Sequence, residues 1–315
     1  MTKSKLLLSF LSITLSLSTV FAQKQLKTIV VDAGHGGHDV GAVGQYENSL
    51  RSKEKDVTLA ITKKLVNELK KRLPDVNVVP TRTTDIYQDP KEKARIANEA
   101  KGDLFLCIHA DSGPLKTGKR QVGTRMVTRY KVTYTGKGKS RKKKSVPYKR
   151  EEPVYEYYKL PLKAQGTSVY IFAAHKTSDK LKAIMNDVGE FEIETGNADS
   201  SYNSFDFNTP EGRMLAQVYA KRYQEKSDRI ATYVNEEVDK SGRPALGVNQ
   251  RQTGIWVLQA TNMPAILIET GFINNPEDER YINSEAGQQE LAEVITSAVI
   301  RYKNQLENPR STVAK

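Results

Sequence analysis

"KTIVVDAGHGGHDVGAVG", residues 27–44, joins an apolar run to a glycine-rich loop around a histidine. A β-branched apolar run ends in Asp32, which reads as a buried strand. His35 follows, surrounded by Gly34, Gly36, Gly37, Gly41 and Gly44. Glycines at a strand end let the backbone turn sharply and leave room beside the histidine. Residues 54–73, "EKDVTLAITKKLVNELKKRL", place Val57, Ile61, Leu65, Leu69 and Leu73 four apart, the period of an amphipathic helix. Lys70, Lys71 and Arg72 fill its last turn, which suits the helix dipole, and Pro74 follows its end. "VNVVPTR" (76–82) is a second strand, "PKEKARIANEA" (90–100) a short helix that Pro90 starts, and "DLFLCIHAD" (103–111) a third strand. The third is continuously apolar, as a central strand covered on both faces would be. Alternating strands and helices predict an α/β fold: a mostly parallel twisted sheet with helices on both faces, in a single domain with a basic and a helical insertion.

Beyond residue 111 the alternation breaks. Residues 113–165 are basic and tyrosine-rich with weak periodicity. "GTSVYIF" (166–172) resumes a strand, 178–188 reads as a helix, and 210–242 as a long helix from Pro210 to Gly242. Residues 254–272 read as two strands separated by a turn at Asn262, and 285–306 as a closing amphipathic helix.

The formal charge of +12 is uneven. Between Gly113 and Arg150 there are fourteen Lys and Arg and no acid. Setting these aside with the two lysines of the first 22 residues leaves −4, so a mildly acidic domain carries one basic insert. Nucleic acid is not the expected partner, because "MTKSKLLLSFLSITLSLSTVFA" (1–22) has the basic start, apolar middle and small-residue exit of a secretory signal. Cleavage is expected after Ala22, releasing residues 23–315 to the periplasm or cell envelope without a stable membrane anchor. The single cysteine, Cys107, excludes an internal disulfide and reads as a small buried apolar residue.

Three predicted strands run into polar residues: the first into His35, the central one into His109, and "AILIE" into Glu269. Sites in open α/β sheets form outside the carboxyl ends of strands. Two imidazoles with one carboxylate and an open position make a catalytic zinc set. The spacing leaves Glu54, at the head of the first helix, and Glu47, in the preceding loop, as alternatives for the carboxylate. Asp32 is expected to orient a ligand from behind. His38 and His175 read as loop residues, and Arg82, Asp85 and Arg95 as structural charges.

The stretches "IVVDAGHGGHDVGAVG", "EKDVTLAI", "PTRTTD", "RIAN", "DLFLCIHAD", "GTSVYIF" and "MPAILIETGFINNPEDE" resemble, in order, the zinc-dependent N-acetylmuramoyl-L-alanine amidases, bacterial wall hydrolases of the third amidase family. The resemblance implies Zn2+ on His35, Glu54 and His109, selecting Glu54 over Glu47. It also implies Glu269 as the catalytic residue and peptidoglycan as substrate, cut between N-acetylmuramic acid and L-alanine. Asp111 stands where the family commonly has Asn, and the basic stretch after it is longer than a minimal family domain has. Some family members carry an inserted helix that covers the zinc until an activator protein displaces it. Residues 173–242 resemble that insert in position and length, with Glu194, or Glu192 or Glu190, as the inhibitory zinc ligand. Two rivals are a zinc peptidase cutting within the stem peptide and a non-catalytic wall-binding protein. The chain has no HExxH helix for the first, and it keeps every ligand and the base, against the second.

Overall fold

The computed structural model describes residues 25–173, 177–186, 209–251 and 255–308. In chain order they form β1 (Thr28–Ala33), α1 (Glu54–Arg72), β2 (Asn77–Pro80), α2 (Pro90–Glu99), β3 (Leu104–Asp111), β4 (Thr117–Thr135), β5 (Lys142–Lys159), β6 (Thr167–Ile171), α3 (Thr177–Asn186), α4 (Pro210–Lys240), β7 (Ala245–Gln250), α5 (Trp256–Ala260), β8 (Ala265–Phe272), α6 (Pro276–Asn283) and α7 (Glu285–Glu307).

Six strands make one sheet in the order β2-β1-β3-β8-β6-β7. The first four run parallel, β6 is antiparallel to β8, and β7 is parallel to β6. Strand side chains alternate between two cores, as the period of two requires. Ile29, Val31, Leu104, Leu106 and Ile108 pack with α1, α4 and α7, through residues such as Ile61, Leu65, Val234 and Ile295. Val30, Phe105 and Cys107 pack on the opposite side with Ala97 of α2 and Val257 and Leu258 of α5. Both faces are covered, which explains why β3 reads as an unbroken apolar run.

Residues 254–272 do not form two strands. Only Ala265–Phe272 is extended, and Trp256–Ala260 is a short helix. The position beside β3 is already taken by β8, and the carbonyls of the segment before it go elsewhere. The buried Lys180 side chain of α3 donates to the carbonyls of Leu258, Thr261 and Met263, so this stretch meets a side-chain donor and not a sheet partner. The missing strand is β7, an edge strand broken by Gly247 at φ 84°.

The basic insert is a long antiparallel hairpin of β4 and β5 that stands as a separate two-stranded sheet. The helical stretch divides in two. The second half of α4 is core, through Ile230, Ala231, Val234 and Val238. Its first half packs with α3 in a satellite cluster of Ile184, Ala216, Ala220 and Tyr223. Glu190, Glu192, Glu194, His175 and the first 22 residues lie outside the described residues. No helix of the described residues is long and apolar enough to cross a membrane.

Candidate metal centre

Parallel pairing of β1, β3 and β8 brings their carboxyl ends to one edge. His109 of β3 stands directly across from Glu269 of β8. His35 follows β1 with a left-handed backbone, φ 58°, which a non-glycine residue adopts only where its surroundings hold it there. Several bonds do so: Gly36 and Asp39 pair backbone to backbone, and buried Arg82 donates to the carbonyls of Ala33 and Gly34.

Glu54 opens α1, where its negative charge suits the helix N-terminus. Its carboxylate is almost fully buried and both oxygens are used. Oε2 accepts from the Ala42 amide at 2.8 Å and lies 3.1 Å from His35 Nε2. Oε1 accepts from the Ala110 amide and lies 2.8 Å from His109 Nδ1. Behind His35, Asp39 accepts from Nδ1 at 2.8 Å. That partner fixes the proton on Nδ1 and turns Nε2 toward Glu54.

Donor atoms of His35, Glu54 and His109 lie within 4.8 Å of one another. Burial lowers the His35 pKa, but Glu54 and Asp39 outweigh it and raise it to about 8. Burial raises that of Glu54, and His109 and His35 overcome this, holding it well below the usual carboxylate range. The pocket is thus built around a carboxylate that needs positive charge beside it. A divalent cation supplies that charge, and two imidazoles with one carboxylate suit zinc. The space is kept by glycines. A Cβ on Gly34 would lie 2.6 Å from His109 Nε2, and one on Gly41 2.6 Å from Glu54 Oε2.

A second metal-capable group, Asp32, Cys107 and His109, shares His109. Its chemistry argues against a metal. Asp32 is already bonded to Lys93 at 2.9 Å, Thr81 at 2.6 Å and the Cys107 thiol at 3.0 Å, and burial pushes that thiol's pKa well up. A cation there would have to displace an ammonium and deprotonate a fully buried thiol. Asp32, expected to orient a ligand, bonds Lys93, Thr81 and Cys107, whereas Asp39 bonds the His35 imidazole. Glu47 turns away to Arg120 of the hairpin, at 2.7 Å. Asp85 accepts from Lys55 and the Gly37 amide, Arg95 pairs with Glu92 and Glu99 on α2, and His38 lies against Tyr87.

Glu269 is buried beside this cluster. Burial is the largest influence on it; Asp111 and Glu54 add to it, His109 and Arg251 oppose it, and its pKa rises to about 7. Oε1 accepts from Arg251 at 2.9 Å. Oε2 is buried with no hydrogen-bond partner among the described residues. Thr270 next to it donates to the His109 carbonyl at 2.8 Å, locking the two strand ends together. Asp39 and Arg251 were not found in the sequence. The loop below the site is fastened by Glu279, which accepts from Tyr46, Ser49 and Ser52.

An α/β sheet with ionisable groups gathered outside its carboxyl strand ends has the layout of an enzyme site. Residues 29–301 match the family described as N-acetylmuramoyl-L-alanine amidase, Amidase_3, and the chain belongs to that family. It is 25% identical over 288 residues to the amidase AmiA of Escherichia coli K12, covering 90% of this chain and 79% of that one. To AmiC of E. coli O6:H1 it is 26% identical over 275 residues, which span 87% of this chain and 52% of AmiC. Among solved structures, the amidase of Clostridium difficile 630 superposes with a TM-score of 0.50 at 23% identity, over 89% of this chain and 97% of that one. Ami1 of Mycobacterium smegmatis gives 0.51 at 16% identity, over 90% and 100%. The expected fold and family hold, and the protein is an amide hydrolase of peptidoglycan.

Proposed function

We propose that this amidase is zinc-dependent, with His35, Glu54 and His109 as ligands and Glu269 as proton carrier. It cuts the bond between N-acetylmuramic acid and L-alanine, for wall remodelling or daughter-cell separation. The observation that carries this reading is the pair of unlike carboxylates: Glu54 is clasped by two imidazoles, while Glu269 keeps one buried oxygen without a partner. An unpaired buried acceptor is costly, and a reacting proton donor would complete it. When bound, zinc supplies Lewis acidity, making water nucleophilic near neutral pH and taking up charge on the amide oxygen. Glu269 Oε2 accepts the proton of the attacking water and returns it to the leaving amine. Arg251 holds Oε1, so the second oxygen stays turned to the reactants. Asp39 keeps His35 in the ligand tautomer.

The test joins metal analysis to a digest of purified sacculi. His35→Ala and His109→Ala should lose both zinc and hydrolysis. Glu269→Gln should keep zinc and lose at least about 10²-fold in turnover, the usual worth of general acid–base assistance. Release of intact stem peptides is expected, whereas stem peptides cut internally would favour the peptidase. Full activity of the metal-free protein would refute the scheme.

Export to the periplasm after cleavage at Ala22 belongs to the same proposal, with N-terminal sequencing of the envelope-located protein as its check. So does autoinhibition by Glu190, Glu192 or Glu194, relieved by an activator protein that favours the open form. The satellite packing of α3 on the first half of α4, beside the main core, supports reading this stretch as a helical insert. Replacing 186–209 by a short glycine linker should raise sacculus hydrolysis without a partner. A shortened protein that folds, keeps zinc and is no faster would end that reading.

A further inference from the structure

From Thr117 to Lys159 the chain holds fourteen Lys and Arg against three Glu. The 19-residue β4 and 18-residue β5 form a ribbon about 60 Å long, at roughly 3.3 Å per residue. Its register sorts the side chains. Met126 faces Glu151, Tyr130 faces Pro147, Val132 faces Ser145 and Tyr134 faces Lys143; with Tyr155 and Tyr157 these share one face. Arg125, Arg129, Lys131, Lys144 and Arg150 share the other. The four tyrosines are 40–68% exposed, so a row of aromatics lies open to solvent beside lysines. Among the described residues Lys119 lies over the Tyr155 ring and Arg141 over the Tyr134 ring, yet the row stays open to solvent, and large exposed apolar rows mark binding surfaces.

The occupant must be extended, anionic and able to cover aromatic rings. A second copy of the ribbon is excluded by its net charge of +11, which repels itself. A lipid surface would call for an apolar tip, and the tip, "GKGKSR" from Gly136 to Arg141, is polar and cationic. The aromatics run along the length instead, as suits a polymer lying on the ribbon. We infer that the hairpin is a binding arm for peptidoglycan strands, its tyrosines stacking on the C–H faces of the sugar rings and Lys119, Lys143 and Lys149 of the same face pairing with stem-peptide carboxylates. This rests on the substrate reading above.

The position of the arm favours delivery to the site. It leaves β3 after Asp111, two residues past His109. At its root Arg120 pairs with Glu47 and the Lys159 carbonyl accepts from the Glu47 amide, in the loop between His35 and Glu54. Just beyond β5 the Leu162 amide donates to the Asn274 carbonyl, and the Asn274 side chain accepts from the Gln45 amide. A strand lying on the ribbon therefore reaches the metal centre at its root.

The test is a pelleting assay with purified sacculi in a Glu269→Gln background, which leaves them undigested. Binding should weaken at least tenfold between about 0.05 and about 0.5 M salt, where screening shortens from roughly 14 to 4 Å. Changing Tyr130, Tyr134, Tyr155 and Tyr157 together to Ser should weaken low-salt binding at least tenfold without moving the melting temperature. Lys119→Gln, Lys143→Gln and Lys149→Gln together should flatten the salt dependence. With Glu269 restored, the four-Ser protein should cut soluble muropeptides normally and sacculi poorly. If neither set of changes alters sacculus pelleting, the arm is not a wall-binding surface. Tyrosine-dependent binding to phosphatidylglycerol vesicles without binding to sacculi would overturn it in favour of a membrane. If the parent cuts no muropeptide yet pelleting depends on the tyrosines, the arm stands and the proposed reaction falls.

Discussion

Gly41→Ala tests whether the glycines of the opening loop exist for the metal centre. Gly41 has φ +65°, and a Cβ there would lie 2.6 Å from Glu54 Oε2, 2.6 Å from His35 Cδ2 and 2.8 Å from Glu54 Cβ. The left-handed backbone costs a residue with a side chain about 1–2 kcal/mol. Overpacking adds about 1–3 kcal/mol. Glu54 has little freedom to yield, because Oε1 is bound to the Ala110 amide and His109. The displacement therefore falls on the donor atoms themselves. A release of only about 1.4 kcal/mol through a shifted ligand weakens metal binding tenfold. Zinc affinity, measured by competition with a chromophoric chelator, should fall at least tenfold, and the melting temperature by roughly 5–15 °C. Gly242→Ala is the control: its φ is +82°, and nothing lies within 4 Å of the added carbon. It carries the backbone cost without the contact, so it should melt a few degrees lower and bind zinc as the parent does. If Gly41→Ala binds zinc within twofold of the parent, or the two variants behave alike, the argument from space at Glu54 is wrong.

Asp39→Asn removes the charged acceptor behind His35, and calorimetry should show zinc bound about 10–100-fold more weakly. Glu269, raised to about 7 chiefly by burial, accepts a proton only when ionised, so activity should climb with pH through about 7 with a one-proton slope. Arg251→Ala removes a positive charge that opposes this rise and should move that limb upward; a limb that stays in place would sever Arg251 from Glu269. Asp32→Asn strands the Lys93 charge in the core and should cost roughly 3–5 kcal/mol by denaturant unfolding at pH 7, with zinc affinity unchanged. Burial raises the Asp32 pKa, but Lys93, Cys107 and Thr81 bring it below its ordinary value. Its stabilisation is therefore present above the unfolded pKa and lost on acidification, and the gap between parent and variant should narrow as pH falls below about 4.

The parts legible in the sequence were those whose signal is local. β1, α1, β3 and α7 announce themselves because apolar residues recur at the period of the element and face a core. β7 gives no such signal: it is a half-exposed edge with a glycine inside it. α5 was misread because its apolar residues suit a strand, and only the distant Lys180 shows where its carbonyls go. The same distinction holds at the site. His35, His109 and Glu269 stand out because each follows an apolar run. Glu54 and Glu47 could not be separated by spacing, since their choice depends on where the loop returns. Asp39 is one acid in a polar loop. Arg251 reaches Glu269 because β6 separates β7 from β8 by one strand, a fact of topology. The hairpin showed weak periodicity because its apolar members are mostly tyrosines set among charged residues and threonines, as in "KVTYT" and "VYEYY", which gives its period of two little apolar contrast.

Glu54 and Asp111 lie beside Glu269 at one sheet edge, and like charges so placed raise the Glu269 pKa. The two buried carboxylates respond in opposite ways. Glu54 stays ionised because two imidazoles and two backbone amides converge on it. Glu269 receives a single guanidinium that is itself 41% exposed and shared with Asp111 at 3.9 Å, so water weakens its support. One carboxylate is thus fixed as an anion at any working pH, while the other can hold or release a proton near neutrality. Divergent environments of this kind assign roles to paired acids: the permanent anion suits a metal ligand and the titrating one a proton carrier. The assignment does not rest on which residue comes first in the chain. The proposal draws instead on Glu54 opening a helix between two histidines and on Glu269 standing within buried β8, where its neighbours among the described residues leave one of its oxygens without a partner.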